Sequence, residues 1–253
     1  GPDGTVWGGE LLLGGAGGYE RVGHLRPFRL PGGDAAVKEP RRMALALCHA
    51  AWGEEGTARA LRRLGPALTT AEIDVLGQVL ETGFRAPWTT SAGRLFDGVA
   101  SLLGLRQTVG FEGEAAMALE HAVDPAESGA YPFAVRRTAG ASVDAGPLVI
   151  DWAPAVGAML DDVEAGEGTG VVAARFHSGL AVAVGQAAEA VGEPRVALTG
   201  GVFQNRVLTE RTRTALEGAG LRPLLHRRVP ANDGGLSLGQ IAVAAAGPTG
   251  EAN

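Results

Sequence analysis

Two glycine turns near the C-terminus hold the residues best suited to grip an anion. The first follows an apolar run, Val196-Ala197-Leu198, and reads Thr199-Gly200-Gly201-Val202-Phe203-Gln204-Asn205 before an amphipathic pattern that runs to Gly220. The second, Pro230-Ala231-Asn232-Asp233-Gly234-Gly235, follows a strand expected over Arg222 to Arg228 and opens a small-residue helix. Glycine reaches φ > 0 and has no Cβ, so the backbone at such a turn can approach a ligand closely. The unpaired N–H groups and positive dipole end of the following helix then favour an anion, for which phosphate is the natural guest. Asn205 is placed to meet a nucleotide, and Asp233, flanked by glycines, could ligate a divalent ion beside a phosphate. Each has a plainer alternative: Gly200-Gly201 as a tight turn in a chain of 40 glycines, and Asp233 as a helix N-cap.

Three further groups could do chemistry. Arg94 and Asp97, within Ser91-Ala92-Gly93-Arg94-Leu95-Phe96-Asp97-Gly98, are three apart and share a helix face. On that spacing alone the plainer reading is a local ion pair worth roughly 0.2–0.5 kcal/mol. His24 and Arg26 stand shortly before the Pro31-Gly32-Gly33 turn, where they could meet a phosphate group; from the residues alone they read as structural, with His24 satisfied by a neighbouring backbone group. Cys48 is the only cysteine, which excludes an internal disulfide, a CxxC pair and a thiolate zinc site within the chain and fits a reducing cytoplasm. Its apolar neighbours mark it as a buried structural thiol. His49, His121 and His226 are scattered and lack metal-ligand spacing.

The elements that must position these residues are readable in outline. Turn chemistry at Pro2-Asp3-Gly4 and Gly8-Gly9 suggests an N-terminal hairpin, and Tyr19 to Pro31 a further strand. Helical character dominates from Pro40 to about Ala122, with helix starts at Glu39-Pro40, at the capping-box pattern Thr69-Thr70-Ala71-Glu72, and at Thr90-Ser91. From Asp124 to Gly146 a loop or small hairpin intervenes. Helices then start at Trp152 and Thr169, the second carrying His177, which reads as a core or interface histidine and not a ligand. Of 253 residues, 45% are hydrophobic and 20% charged, an ordinary globular balance. The formal charge of −6 and the absence of a basic tract argue against nucleic-acid binding. The most apolar stretch, Val171 to Val191, carries Arg175, His177, Gln186 and Glu189 and is no membrane span.

The segments LTGGVFQNRVL and VPANDGGLSLGQ resemble the C-terminal end of the HypF-type carbamoyltransferases of nickel-iron hydrogenase maturation. Further matches keep the same order: DGTVWGGE, VGHLRPFRLPGGDAAVKEPRRMAL, TSAGRLFDGVASLLGL, EGEAAMALE and ARFHSGLA. The resemblance implies an α/β, actin-like ATPase fold of the sugar kinase and heat-shock chaperone kind, incomplete and with a helical insertion. It assigns 1–246 to the C-terminal portion of a domain like the tRNA threonylcarbamoyl transferases and leaves 247–253 as a disordered tail. It also implies ATP or carbamoyl-adenylate as ligand, with Asp97, Gly113, Gly200, Gly201 and Asn205 at the nucleotide; Gly110 fits as well as Gly113. Asp233 would join two histidines of an upstream His-x-x-x-His motif around a divalent metal, whether zinc, iron or magnesium. The carbamoyl group would pass to the C-terminal cysteine of the partner HypE, with His24, Arg26 and Arg94 as catalytic candidates and upstream domains of the same polypeptide supplying the adenylate. A small-molecule O-carbamoyltransferase and a non-catalytic nucleotide-binding module are the competing readings.

Overall fold

The protein is described here by a computed structural model covering residues 1–15, 17–138 and 146–246. The expected tail 247–253 and part of the expected loop 124–146 lie outside the described residues. In chain order the elements are β1 (Glu10–Gly15), β2 (Gly18–Leu25), β3 (Phe28–Arg29), α1 (Asp34–Lys38), α2 (Pro40–Leu64), α3 (Thr70–Thr82), β4 (Trp88–Thr89), α4 (Ala92–Leu102), α5 (Glu114–His121), β5 (Ala134–Arg137) and β6 (Leu148–Asp151). Then follow α6 (Ala153–Glu164), α7 (Thr169–Val191), β7 (Arg195–Leu198), α8 (Arg206–Gly218), β8 (Arg222–Leu225) and α9 (Leu236–Ala246).

Local sequence decides most helix starts. Pro40 occupies the first turn of α2, where its missing N–H costs nothing. Thr69 and Glu72 close the expected capping box on α3, with the Thr69 N–H donating to Glu72 Oε2 at 2.8 Å and the Glu72 N–H to Thr69 Oγ1 at 3.3 Å. Ser91 caps α4 by accepting from the Arg94 N–H. The expected N-terminal hairpin is displaced: residues 1–9 form turns around Asp3, which accepts from Thr5 and Trp7, and the hairpin is β1–β2. The single strand expected over Tyr19 to Pro31 breaks at Arg26-Pro27 into β2 and β3, because proline cannot donate to a ladder.

One sheet runs β1-β2-β6-β5; β2 and β6 are parallel, the outer pairs antiparallel. β7 and β8 form a separate parallel pair. Between sheet and helices lies one large core that includes Phe28, Met43, Leu47, Leu95, Phe96, Trp152 and Phe176, all fully buried. α2 crosses α4 at Gly98, where an added Cβ would lie 2.4 Å from Leu47 Cδ1 and 3.1 Å from the Met43 carbonyl carbon. That close approach leaves room for no side chain. Cys48 is buried in this core, its thiol pushed up to about 12 by burial, as a structural cysteine should be.

The C-terminal end is packed differently. α9 buries none of its residues, and Leu236, Leu238, Ile241 and Val243 all stand exposed. Leu12 and Leu13 on the edge strand β1 are exposed too. A helix apolar on every side is normally covered, so this is an unpartnered surface.

Candidate nucleotide-binding cleft

A cleft of 2140 Å³ separates β1 from β7 and from the two glycine turns. Its walls include Arg94 and Asp97 from α4, Gly113 before α5, the loop Thr199 to Asn205, and the turn Pro230 to Gly235. All five expected nucleotide residues, Asp97, Gly113, Gly200, Gly201 and Asn205, therefore face one space, with Asp233 beside them. Residues more than 130 positions apart in sequence meet here because α4 and α8 both pack on α7 and its neighbours. Gly113 (φ +86) lines the cleft, whereas Gly110 does not line it and donates its N–H to Glu114 Oε2 at 2.7 Å.

The catalytic candidates separate. Arg94 lies in the cleft, but Arg26 lines a different hollow of 490 Å³ with Trp52, Asp151 and Gly157. There its guanidinium pairs with Asp151 at 3.2 Å, donates to the Ala50 carbonyl at 2.8 Å and faces the Trp152 ring at 5.4 Å. His24 Nδ1 lies 2.8 Å from the Leu25 carbonyl oxygen, and the residue lines neither space. The Pro-Gly-Gly turn beside which both were expected to act is a chain reversal after β3; its flanking residues Leu30 and Val37 line the cleft, but His24 and Arg26 do not.

At the first glycine turn Gly200 takes φ +96, and its N–H donates to the Ala231 carbonyl at 2.7 Å, tying the two turns together. The expectation that the first turn of α8 waits open for an anion is corrected. Asn205 Oδ1 accepts from the Leu208 N–H at 2.8 Å, while Glu120 Oε1 accepts from Arg206 at 2.7 Å and Val207 at 3.4 Å. The chain's own carboxylate already answers that helix end. Among the described residues the N–H groups of Gly201 and Val202 have no acceptor, so the donors left for a phosphate lie one turn earlier. Asn205 is also committed through its other end, since Nδ2 lies 2.9 Å from His177 Nε2.

Asp233 is not the cap of its turn. Asn232 takes that role by accepting from the Gly234 N–H at 3.1 Å, and the Asp233 carboxylate is left exposed without a partner among the described residues. No three metal-ligating side chains converge among the described residues, so Asp233 offers one hard oxygen and not a complete site.

The ion pair expected between Arg94 and Asp97 forms, and the structure adds its burial. Nη1 and Oδ2 are 2.8 Å apart with side chains only 9% and 3% exposed, so the contact is buried. Neither atom makes an aligned hydrogen bond, so the contact is coulombic. Burial raises the Asp97 carboxyl to about 6, opposed by Arg94 and reinforced by Glu112. The native state thus binds a proton that the unfolded chain releases near pH 4. Stability from this group is present below that pH and is lost as pH rises through about 6, amounting to ~3 kcal/mol. Asp97→Asn should flatten the fall in stability between pH 4 and pH 7 seen for wild type. Urea unfolding at both pH values checks this, and parallel pH profiles would refute it.

A model of the family described as carbamoyltransferase, Kae1-like domain, second subdomain, matches residues 1–240. The chain belongs to this family. Carbamoyltransferase HypF of Rhodobacter capsulatus is 45% identical over 253 residues, covering 97% of this chain and 31% of the relative. HypF of a Synechocystis strain is 38% identical, covering 95% of this chain and 32% of its own length. A crystal structure of full-length HypF in phosphate- and nucleotide-bound form superposes with a TM-score of 0.87 at 30% identity, covering 99% of this chain and 32% of that one. The Kae1-like, actin-related α/β fold is thereby shown. The chain spans about a third of the length of these relatives. Among the described residues no helix is long and apolar enough to cross a membrane.

Proposed function

We propose that this chain is the nucleotide-holding part of a HypF-type carbamoyltransferase, in which carbamoyl-adenylate formed from ATP is held while its carbamoyl group passes to a protein thiol. The convergence of Asp97, Gly113, Gly200, Gly201 and Asp233 on one cleft carries the reading. In it, the Gly201 and Val202 amides receive phosphate oxygens, Asp97 accepts from ribose hydroxyls, and Arg94 offsets charge that develops on the adenylate. The only cysteine of the chain is buried with its thiol protonated, so the nucleophile comes from outside. The acceptor thiolate attacks the carbamoyl carbon, the new S–C bond forms as the C–O bond to the phosphate breaks, and AMP leaves with the electron pair. The acceptor in this reading is the C-terminal cysteine of a HypE-like partner.

Residues 1–246 form, on this reading, one portion of a larger domain. The unpartnered α9 and the open β1 and β7 edges across the cleft support it, as does the length of the relatives. The experiment is a polypeptide extended by the relatives' upstream region, supplied with radiolabelled carbamoyl phosphate, ATP and a HypE-like protein. Label should reach the acceptor's terminal cysteine and not its Cys→Ala variant. Label on a sugar hydroxyl would favour a small-molecule O-carbamoyltransferase, and nucleotide binding with no transfer a non-catalytic module.

The metal follows the same logic. Asp233 would be one ligand of a divalent ion, with the remaining ligands on the upstream portion, because transition-metal sites take three or four protein ligands. Equilibrium dialysis with elemental analysis should find weak binding by this chain, tight binding by the extended form, and loss of tight binding in extended Asp233→Ala. Full retention in that variant would remove Asp233 from the site.

A further inference from the structure

We infer that His177 is a positioning residue for the Gly200 to Asn205 loop, acting through the side-chain amide of Asn205. The inference rests on the reading of that loop as a nucleotide contact, but its geometry stands alone. His177 is fully buried on α7, with its Nδ1 2.7 Å from the Ala173 carbonyl oxygen. A carbonyl can only accept, so Nδ1 carries the proton and Nε2 presents a bare lone pair. Nε2 lies 2.9 Å from Asn205 Nδ2, which donates to it. The amide then has one orientation, with Oδ1 facing the Leu208 N–H at 2.8 Å. A flipped amide would set oxygen against the imidazole lone pair and NH2 against N–H, leaving buried groups unsatisfied.

The ring is fixed from the other side as well. It packs edgewise on Phe96 at 5.3 Å and on Phe176 at 6.1 Å between centroids. Phe96 precedes Asp97 on α4, so one imidazole registers the helix carrying the ribose candidate against the loop carrying the phosphate candidates. Burial holds the ring's pKa down to about 4, which keeps the acceptor lone pair available at neutral pH. Local sequence gave no sign of this role, because residues 177 and 205 are 28 positions apart and meet only through the α7–α8 packing.

The test is a double-mutant cycle on the 253-residue chain with ATP as the probe in titration calorimetry. His177→Leu and Asn205→Ala should each weaken ATP binding by about tenfold or more, and the double variant should be no worse than the poorer single one. His177→Gln, which keeps an acceptor of similar reach, should recover part of the affinity. Leu76→Ala, a core deletion on α3 away from the cleft, should lower Tm and leave affinity unchanged. Unchanged affinity in His177→Leu, or additive losses, would overturn the inference. If wild type binds no ATP, the nucleotide reading fails and hydrogen exchange decides the positioning role. Protection of the Leu208 amide should then fall sharply in His177→Leu, and retained protection would overturn the inference.

Discussion

Gly201→Val should lose about a hundredfold or more in ATP affinity while the protein stays folded. The two glycines of the turn differ in what they tolerate. Gly200 holds φ +96, where any L side chain is strained, so substitution there confounds folding with binding. At Gly201 the nearest atom to an added Cβ is Gln204 Oε1 at 3.9 Å, ordinary van der Waals contact. A valine at 201 therefore costs the fold little and projects into the cleft beside the free amides of Gly201 and Val202. Keeping an anion from two N–H donors costs roughly 1.5–3 kcal/mol per charge-assisted bond, and a hundredfold loss corresponds to about 2.7 kcal/mol. Calorimetric titration with ATP, paired with circular dichroism, reads both quantities. Retained affinity in a folded Gly201→Val protein would remove this loop from the site.

Trp152→Ala should destabilise the protein by ~3–5 kcal/mol and lower Tm by roughly 10 °C. The indole is fully buried, meets Phe28 edge-on at 5.6 Å, and donates from Nε1 to the Arg26 carbonyl at 2.7 Å. Alanine would open a cavity between β6 and β3 and orphan that carbonyl as well. Trp152→Phe keeps most of the ring volume and loses only the donor, so it should cost about 1–3 kcal/mol. Urea denaturation of the three proteins separates the two terms. A loss under ~1 kcal/mol for Trp152→Ala would mean that the core does not close around this residue. ATP affinity should be unchanged in both variants, since the Arg26 hollow and the cleft are separate spaces.

Sequence by itself determined what is local. Pro40 sets its helix start by its fixed φ and missing N–H, the Thr69–Glu72 capping box and Ser91 theirs through hydrogen bonds spanning no more than three residues, and each was legible. The two glycine turns after β7 and β8 were legible for the same reason, as was the buried character of Cys48. The long ordered run of family-like segments carried the actin-related fold, which no single motif could have done.

Tertiary structure decided whatever depends on partners distant in sequence. It placed Arg26 against Asp151, 125 positions away, and so removed it from the cleft. It brought Glu120 onto the amides of Arg206 and Val207, filling a helix end that sequence alone shows as open. It buried the Arg94–Asp97 pair that three-residue spacing allows, and the Asp97 carboxyl is pushed up to about 6. Desolvation is set by everything packed around a charge, and three-residue spacing on a helix carries no information about it. The same holds for His177: its residue type was plain from the sequence, but the lone pair it turns toward Asn205 follows only from the packing of α7 against α8.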